Sequence, residues 1–554
     1  TEVCNHCHRT MTEDWFASPH RQAASNPAVH DLYAGVAASL ADEPACTAAG
    51  GTWATGLGPG TGAPADRCYL GAGVLPALND FCGGDSPCDV VATTFGGCAD
   101  CHAPGIDGQL GGRSLLEATG LAYDNGVHCD VCHHVDAIDE AGEPGVAGRL
   151  RILRPSEAGS PGLAEFMPVM FGPWDDVLSP IMGAVQRTFF EEAVFCSGCH
   201  QQEQAVLLPG EIADPVRWPS GRLPVHTTYE EWSSGPLGAG GSTCQDCHMP
   251  VDPEIANGAD IQLFELPPGI AGGWLRDEVN SHTFVGPRDP DAGLLELVAL
   301  VTVDATVEDD EVVAEVTVRN GNRGHFVPTG EPMRHLVLQV EARCDDAPLA
   351  ATGGHAIPDF GGALAAQDGG GDWSQWPGAE VGEVVRVVRR TADFHDYPGW
   401  GPFGDGTFDL EGKGMPIEEP AGFSTITQVD GDTVTFDAPL PVGDVAYRGE
   451  SLDLPADGDR ARAVAGAPGF GFARVLVGAD GARMVPHFAA TDVASDNRLG
   501  PDGEWTSEHR FEADCAAPEV TAVLTWRRYP WGLAGERGWE LTEGLMRATS
   551  ATAE

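Results

Sequence analysis

Five copies of the pattern Cys-x-x-Cys-His stand within the first 248 residues of this 554-residue chain. They read CNHCH (Cys4, Cys7, His8), CADCH (Cys98, Cys101, His102), CDVCH (Cys129, Cys132, His133), CSGCH (Cys196, Cys199, His200) and CQDCH (Cys244, Cys247, His248). With 16 Cys and 18 His in the chain, random placement supplies roughly 0.01–0.02 such matches. Zinc does not suit the spacing. A His directly after the second Cys points away from the metal those thiols would share, and an odd number of units cannot all pair into four-ligand sites. Covalent haem does suit it: two thiols saturate the vinyl groups and the adjacent His binds the iron. The pattern therefore predicts five haem c groups on these ten thiols, with His8, His102, His133, His200 and His248 as proximal iron ligands.

Such groups dictate how the first half can fold. The sites are unequally spaced, so they form no tandem repeat, and 73 Gly with 42 Pro argue for many turns and little long helix. Residues 1–289 are expected to form a pentahaem domain, mostly coil with short helices such as 27–41 and 185–195, its core built around the haems. Near residue 290 the pattern changes. LELVALVTVDATVEDDEVVAEVTVRNGN holds two β-branched runs either side of an acidic turn at Glu308–Glu311, a hairpin signal. Further runs at 335–344, 383–390, either side of Asp430–Asp432, 473–478 and 519–526 predict an all-β antiparallel sandwich over 290–554. The Gly-rich stretch 361–380 reads as an inserted loop. Its acidic oxygens could hold calcium, but the spacing matches no EF-hand, and a solvated loop is the better reading.

Six cysteines remain: Cys46, Cys68, Cys82, Cys88, Cys344 and Cys515. An even remainder predicts three disulfides. Cys46 and Cys68 bracket a Gly-rich loop, Cys82 and Cys88 a shorter one, and Cys344 and Cys515 adjoin strand-like runs.

The second axial ligand separates an electron carrier from a catalyst, because an open sixth position admits a small molecule. Distal candidates are His20 and His30, flanking a short helical stretch; His134, which follows a proximal His and faces away from it; and His128, which competes for the same role. His226 and His282 lie either side of the last motif, with His282 preferred. His6 faces outward from the first motif and reads equally as solvated. His325, in NRGHFVPTG, could dip towards a haem or serve as a hydrogen-bonded loop residue.

Several phrases accompany the motifs: TYEEW upstream of CHMP, SHTFVG at 281–286, GHFVPTG at 324–330 and DNRLGPDGE at 496–504. With the five motifs, these make the chain resemble the exported multihaem c-type cytochromes. The resemblance implies covalent haem c, mostly bis-histidine irons and close-packed haems carrying electrons. In some relatives the haem chain continues from subunit to subunit as an extracellular filament, a cytochrome nanowire. The Cys-x-x-Cys-Lys site that marks the family's nitrite reductases is not in this sequence.

The function expected is electron transfer between a redox donor and an acceptor, either proteins or an extracellular acceptor, with no catalytic residues assigned. A homopolymer is one form of this. The alternative is an oxidoreductase acting on a small nitrogen or sulfur compound at one five-coordinate haem. The formal charge of −52, with Lys413 the sole lysine, makes nucleic acid and anionic membranes poor partners. No apolar run reaches the roughly 18 residues a membrane span needs. The first residues lack the basic and apolar blocks of a signal peptide. Thr1 is therefore expected to be a mature terminus, in the periplasm or outside the cell.

Overall fold

A computed structural model of the chain describes residues 4–34, 42–48, 52–54, 67–69, 97–105, 115, 118, 120–146, 148–155, 169–177, 182–208, 210–260, 275–288, 293–345, 347–369, 376–394, 415–449, 460–513 and 515–554. Cα packing divides the chain into two units, Thr1–Gln202 with Leu237–Ala292 and Glu203–Pro236 with Gly293–Glu554. Residues 203–236, expected in the haem-bearing half, thus belong with the strand-rich one. The reason is apolar: Ala213, Trp218 and Leu223 bury themselves with Leu476, Ala490 and Val493, partners too remote for local pattern to reveal.

Helices of the first unit are short. They include Arg9–Ala17, Pro27–Ala34, Gly97–His102, Gly120–Asn125, Cys129–Cys132, Val194–His200 and Cys244–His248. Between them lie two-stranded pairings, Val135–Ile138 antiparallel with Leu150–Ile152 and Val169–Gly172 parallel with Gly183–Gln186. The expected helix at 185–195 is not continuous. It is a strand end, a 3-10 turn over Thr188–Glu191 and a helix from Val194. Arg187 enforces the break: its amide donates to the Gly172 carbonyl at 2.7 Å and its guanidinium holds Asp136. Of the helix expected at 27–41, the part beyond Ala34 lies outside the described residues. The apolar cluster here is small, with Val131, Val135, Val146 and Leu150 at its centre.

The second unit carries β1 (Ala299–Glu308), β2 (Glu311–Asn320), β3 (His335–Cys344), β4 (Ala351–Gly354), β5 (Ala365–Asp368), β6 (Val384–Phe394), β7 (Met415–Asp430), β8 (Thr433–Phe436), β9 (Asp444–Arg448), β10 (Gly469–Val477), β11 (Asp492–Asp496), β12 (Glu504–Glu512), β13 (Glu519–Arg527) and β14 (Glu543–Thr552). One sheet orders β4-β12-β2-β1 and a second β11-β10-β3-β13-β14, with Ala347–Pro348 also on β3. The acidic turn closes the β1–β2 hairpin with Glu308 opposite Glu311 and Asp309 at φ +53°.

Alternation with period two builds the core. Val312, Ala314, Val316 and Val318 of β2 point inward with Leu336, Leu338, Val340 and Ala342 of β3 and Val520, Ala522 and Leu524 of β13. Two antiparallel sheets thus share one hydrophobic layer. The sandwich does not extend to every expected strand. A third sheet, β5-β9-β6-β7-β8, stands on its own cluster of Trp376, Val385, Val387, Ile426 and Val434. A helix, Trp531–Arg537, also departs from the all-β expectation. The Gly-rich stretch is more structured than a loop: it supplies the edge strand β5 and the fully buried Trp376. Of the acidic residues behind the calcium reading, Asp372 lies outside the described residues, and Asp368 and Glu380 belong to no metal-holding cluster among the described residues.

Cys344 and Cys515 form a disulfide with Cα atoms 5.9 Å apart, where the β3–β13 register sets Arg343 opposite Glu519. Cys46 is buried and disulfide-bonded. The Cys68 side chain, Cys82 and Cys88 lie outside the described residues. Among the described residues, no helix is long and apolar enough to cross a membrane.

Candidate haem-binding site

Residues i, i+3 and i+4 of a helix share a face, and four motifs are helical. Gly97–His102, Val194–His200 and Cys244–His248 include the motif His, and His133 caps Cys129–Cys132. The first motif begins in a 3-10 turn, Cys4–His6. Each motif therefore presents two thiols and an imidazole together, and none of these ten cysteines is disulfide-bonded.

Four of the five proximal imidazoles are oriented. Nδ1–H of His133 donates to the Phe171 carbonyl at 2.7 Å, that of His248 to Val285 at 2.7 Å and that of His102 to Ala23 at 3.2 Å, and His8 Nδ1–H donates to Gly258. A bond from Nδ1 to a carbonyl fixes the tautomer that leaves the Nε2 lone pair for a metal. The loop beyond Gly258 also clamps the first motif. Asp260 accepts from the Thr10 hydroxyl at 2.7 Å and the Thr10 amide at 3.2 Å, and its own amide donates to Cys7 at 2.8 Å.

Thiols of different motifs adjoin. A hydrogen bond from Cys129 pulls Cys4 below the ordinary thiol range, while the same contact raises Cys129. Contact with Cys199 raises Cys101, and contact with Cys244 raises Cys196. The motifs thus meet first to third, second to fourth and fourth to fifth.

Two distal candidates lie beside proximal imidazoles. The His282 ring centre is 6.3 Å from that of His133, with the planes 19° apart; His20 is 6.2 Å from His200, at 60°. Two imidazoles sharing one iron, each nitrogen about 2 Å from the metal, hold their ring centres roughly 6 Å apart. Desolvation, with the neighbouring His133, pushes His282 down to about 3, and desolvation, with His248, pushes His20 down to about 4. Both rings are neutral at pH 7, as a metal ligand must be.

His128 and His134 are buried, each with an Nε2 that has no partner among the described residues. An orphaned buried nitrogen is costly unless a ligand completes it. Burial takes His128 down to about 4. For His134 burial is outweighed by Asp130, whose charge and hydrogen bond raise it; its Nδ1 donates to the Asp130 carbonyl at 2.8 Å. His30 is buried, but its Nε2 lies 2.5 Å from the Ala24 carbonyl. His6 is exposed. These observations fit covalently held haem: paired thiols, oriented proximal imidazoles, and neutral or orphaned imidazoles beside them.

The remaining candidates fall in the strand-rich unit. His226 Nε2 lies 3.4 Å from Glu331, which also holds His487 Nδ1 at 3.1 Å. His325 turns its Nδ1 to the Phe326 carbonyl at 2.8 Å.

Sequence reasoning missed what the recurring phrases do there. Glu231 of TYEEW is fully buried, accepting from Arg498 at 2.7 Å, Thr227 at 2.7 Å and Thr329 at 2.6 Å. Arg498 also forks onto both oxygens of Asp496 at 2.9 Å, and Arg474 donates to Asp496 at 2.8 Å. TYEEW, GHFVPTG and DNRLGPDGE thus converge on one buried network of two carboxylates and two guanidiniums. The acidic pair inside TYEEW, one residue of it destined for burial, was the available signal.

No family model matches the chain, and no curated protein matches it. Among solved structures, the chain is similar to a penta-haem cytochrome c552 from Thermochromatium tepidum, at 16% identity and TM-score 0.47, covering 100% of this chain and 98% of that one. A second, the delta-toxin of Clostridium perfringens, stands at 8% identity and TM-score 0.08, covering 46% and 87%. Both scores fall below 0.5, and the functional reading rests on the chain's own residues.

Proposed function

We propose that the chain is a multihaem electron-transfer protein of the exported, periplasmic or extracellular kind, holding five haem c groups on its five motifs. The observation that carries this reading is the orientation of four of the five proximal imidazoles, His8, His102, His133 and His248, by backbone carbonyls. It leaves the Nε2 lone pair free for a metal, one residue after the second of two thiols. Haem, when bound, supplies one-electron redox chemistry. The chain's own residues attach it, fix the imidazole planes and control burial and nearby charge, which together tune potential. His282 pairs with His133 and His20 with His200, and the orphaned nitrogens of His128 and His134 serve neighbouring irons. Donor and acceptor are redox partners, and assembly into a haem-chain filament is the polymeric form of the same function.

The test is haem content by pyridine haemochrome, with EPR of the oxidised protein. Five haems per chain, all low-spin, are expected, and His282→Ala should turn one iron in five high-spin. Fewer haems would sink the count. A high-spin iron in the unmodified protein that responds to nitrite would replace the carrier by an enzyme.

A further inference from the structure

The segment Asn280–Val285 meets two motifs at once, the third and the fifth. Its His282 ring faces His133. Its Val285 carbonyl receives His248 Nδ1–H, and the Val285 amide donates to the His248 carbonyl at 3.1 Å. At the other end, the Ser281 amide donates to Pro250 at 2.9 Å. Pinned on both sides, the segment carries Phe284 at φ +48°. A bulky residue takes this left-handed conformation only where its surroundings over-determine it, and such strain gathers at functional sites.

The ring held there is edge-on to both distal imidazoles. Its centre lies 4.4 Å from His20 at 80° and 5.9 Å from His282 at 83°. An edge-to-face contact resists rotation of the partner ring. Glycine would relieve the backbone but would leave both imidazoles without this wall.

We propose that Phe284 is a positioning residue for both distal imidazoles, setting His282 nearly parallel to His133 and His20 at a steep angle to His200. The proposal rests on the reading that each of these two pairs shares an iron, and it deepens that reading from ligand identity to ligand angle. An axial imidazole donates π density into the iron d orbital perpendicular to its plane. Parallel rings, 19° apart as for His133 and His282, raise the same orbital and split the pair widely. Rings turned by 60°, as for His200 and His20, raise both and leave them nearly degenerate. With haem bound, one low-spin iron would be rhombic and another strongly anisotropic, with different potentials, because axial-ligand arrangement is one of the protein's levers on haem.

The experiment uses the full haem-loaded chain, with EPR, potentiometric titration and haem count on each variant. Phe284→Ala removes the ring and keeps the strained backbone. Phe284→Gly removes both, and so remains a test should the alanine variant fold poorly. Phe284→Tyr keeps the ring and rescues. The expected result is that the rhombic and the anisotropic signals shift together in the alanine and glycine variants, at unchanged haem count. Two of five potentials move with them, and the tyrosine variant matches the unmodified protein. Unmoved signals, or movement of only one, overturn the role of Phe284 and leave the carrier reading standing. An unmodified protein lacking either signal overturns the pairing itself.

Discussion

Two buried carboxylates show how environment sets opposite charge states in one unit. Glu231, fully buried but faced by Arg498 and Arg474, is held down to about 2. Its stabilisation is complete above its ordinary value of 4.5 and is lost as pH falls from there towards 2. Glu231→Gln leaves the guanidiniums with Asp496 alone, and a broken buried pair costs about 3–5 kcal/mol. Urea unfolding followed by far-UV circular dichroism should read that loss at pH 7 and a flatter acid limb below pH 4.5. Glu418 goes the other way. Burial raises it to about 7, against the pull of Arg390 at 3.0 Å. The folded chain then holds this proton more tightly than the unfolded one, so stability falls as pH rises between 4.5 and 7. Across that window, unmodified protein should lose about 3 kcal/mol relative to Glu418→Gln. Equal slopes for the two proteins would refute the assignment.

At the scale of elements, the disulfide offers the clearest measurement. Cys344–Cys515 spans 171 residues of sequence, a long loop to restrain in the unfolded chain. The double Cys344→Ala/Cys515→Ala variant should lose about 2–5 kcal/mol, read as a lower urea midpoint. Legibility in the sequence follows the range of the physics. Cys-x-x-Cys-His is readable because its chemistry closes within five residues, and β3 and β13 are readable because alternation is local. Alternation names the buried face of a strand but not its partner, which is why β6, β7 and β8 could not be told from sandwich strands. The contact of His226 with Glu331, shared with His487, was not legible because those partners are remote in sequence. Phe284 offered no local sign of its left-handed backbone, since that conformation is imposed by hydrogen bonds to Pro250 and His248.

Over the whole molecule, charge is the dominant property. At −52 the chain repels itself, and salt screens that repulsion over a Debye length of about 10 Å at 0.1 M. Raising salt from about 10 to 200 mM should therefore raise the thermal midpoint while slowing electron exchange with a cationic redox partner. Stopped-flow kinetics and thermal scans at matched salt check both directions. A rate independent of salt would exclude electrostatic steering by this surface.

The strand-rich unit is also discontinuous, since residues 203–236 belong to it while 237–292 do not. The two halves are consequently not interchangeable cassettes. A gene fragment beginning at residue 290 would carry Arg474, Asp496 and Arg498 but leave Glu231 behind, and a transplanted fragment ending at 289 would take Trp218 and Leu223 away from the core that buries them. Recombination that respects this architecture must move residues 203–236 and the strands together.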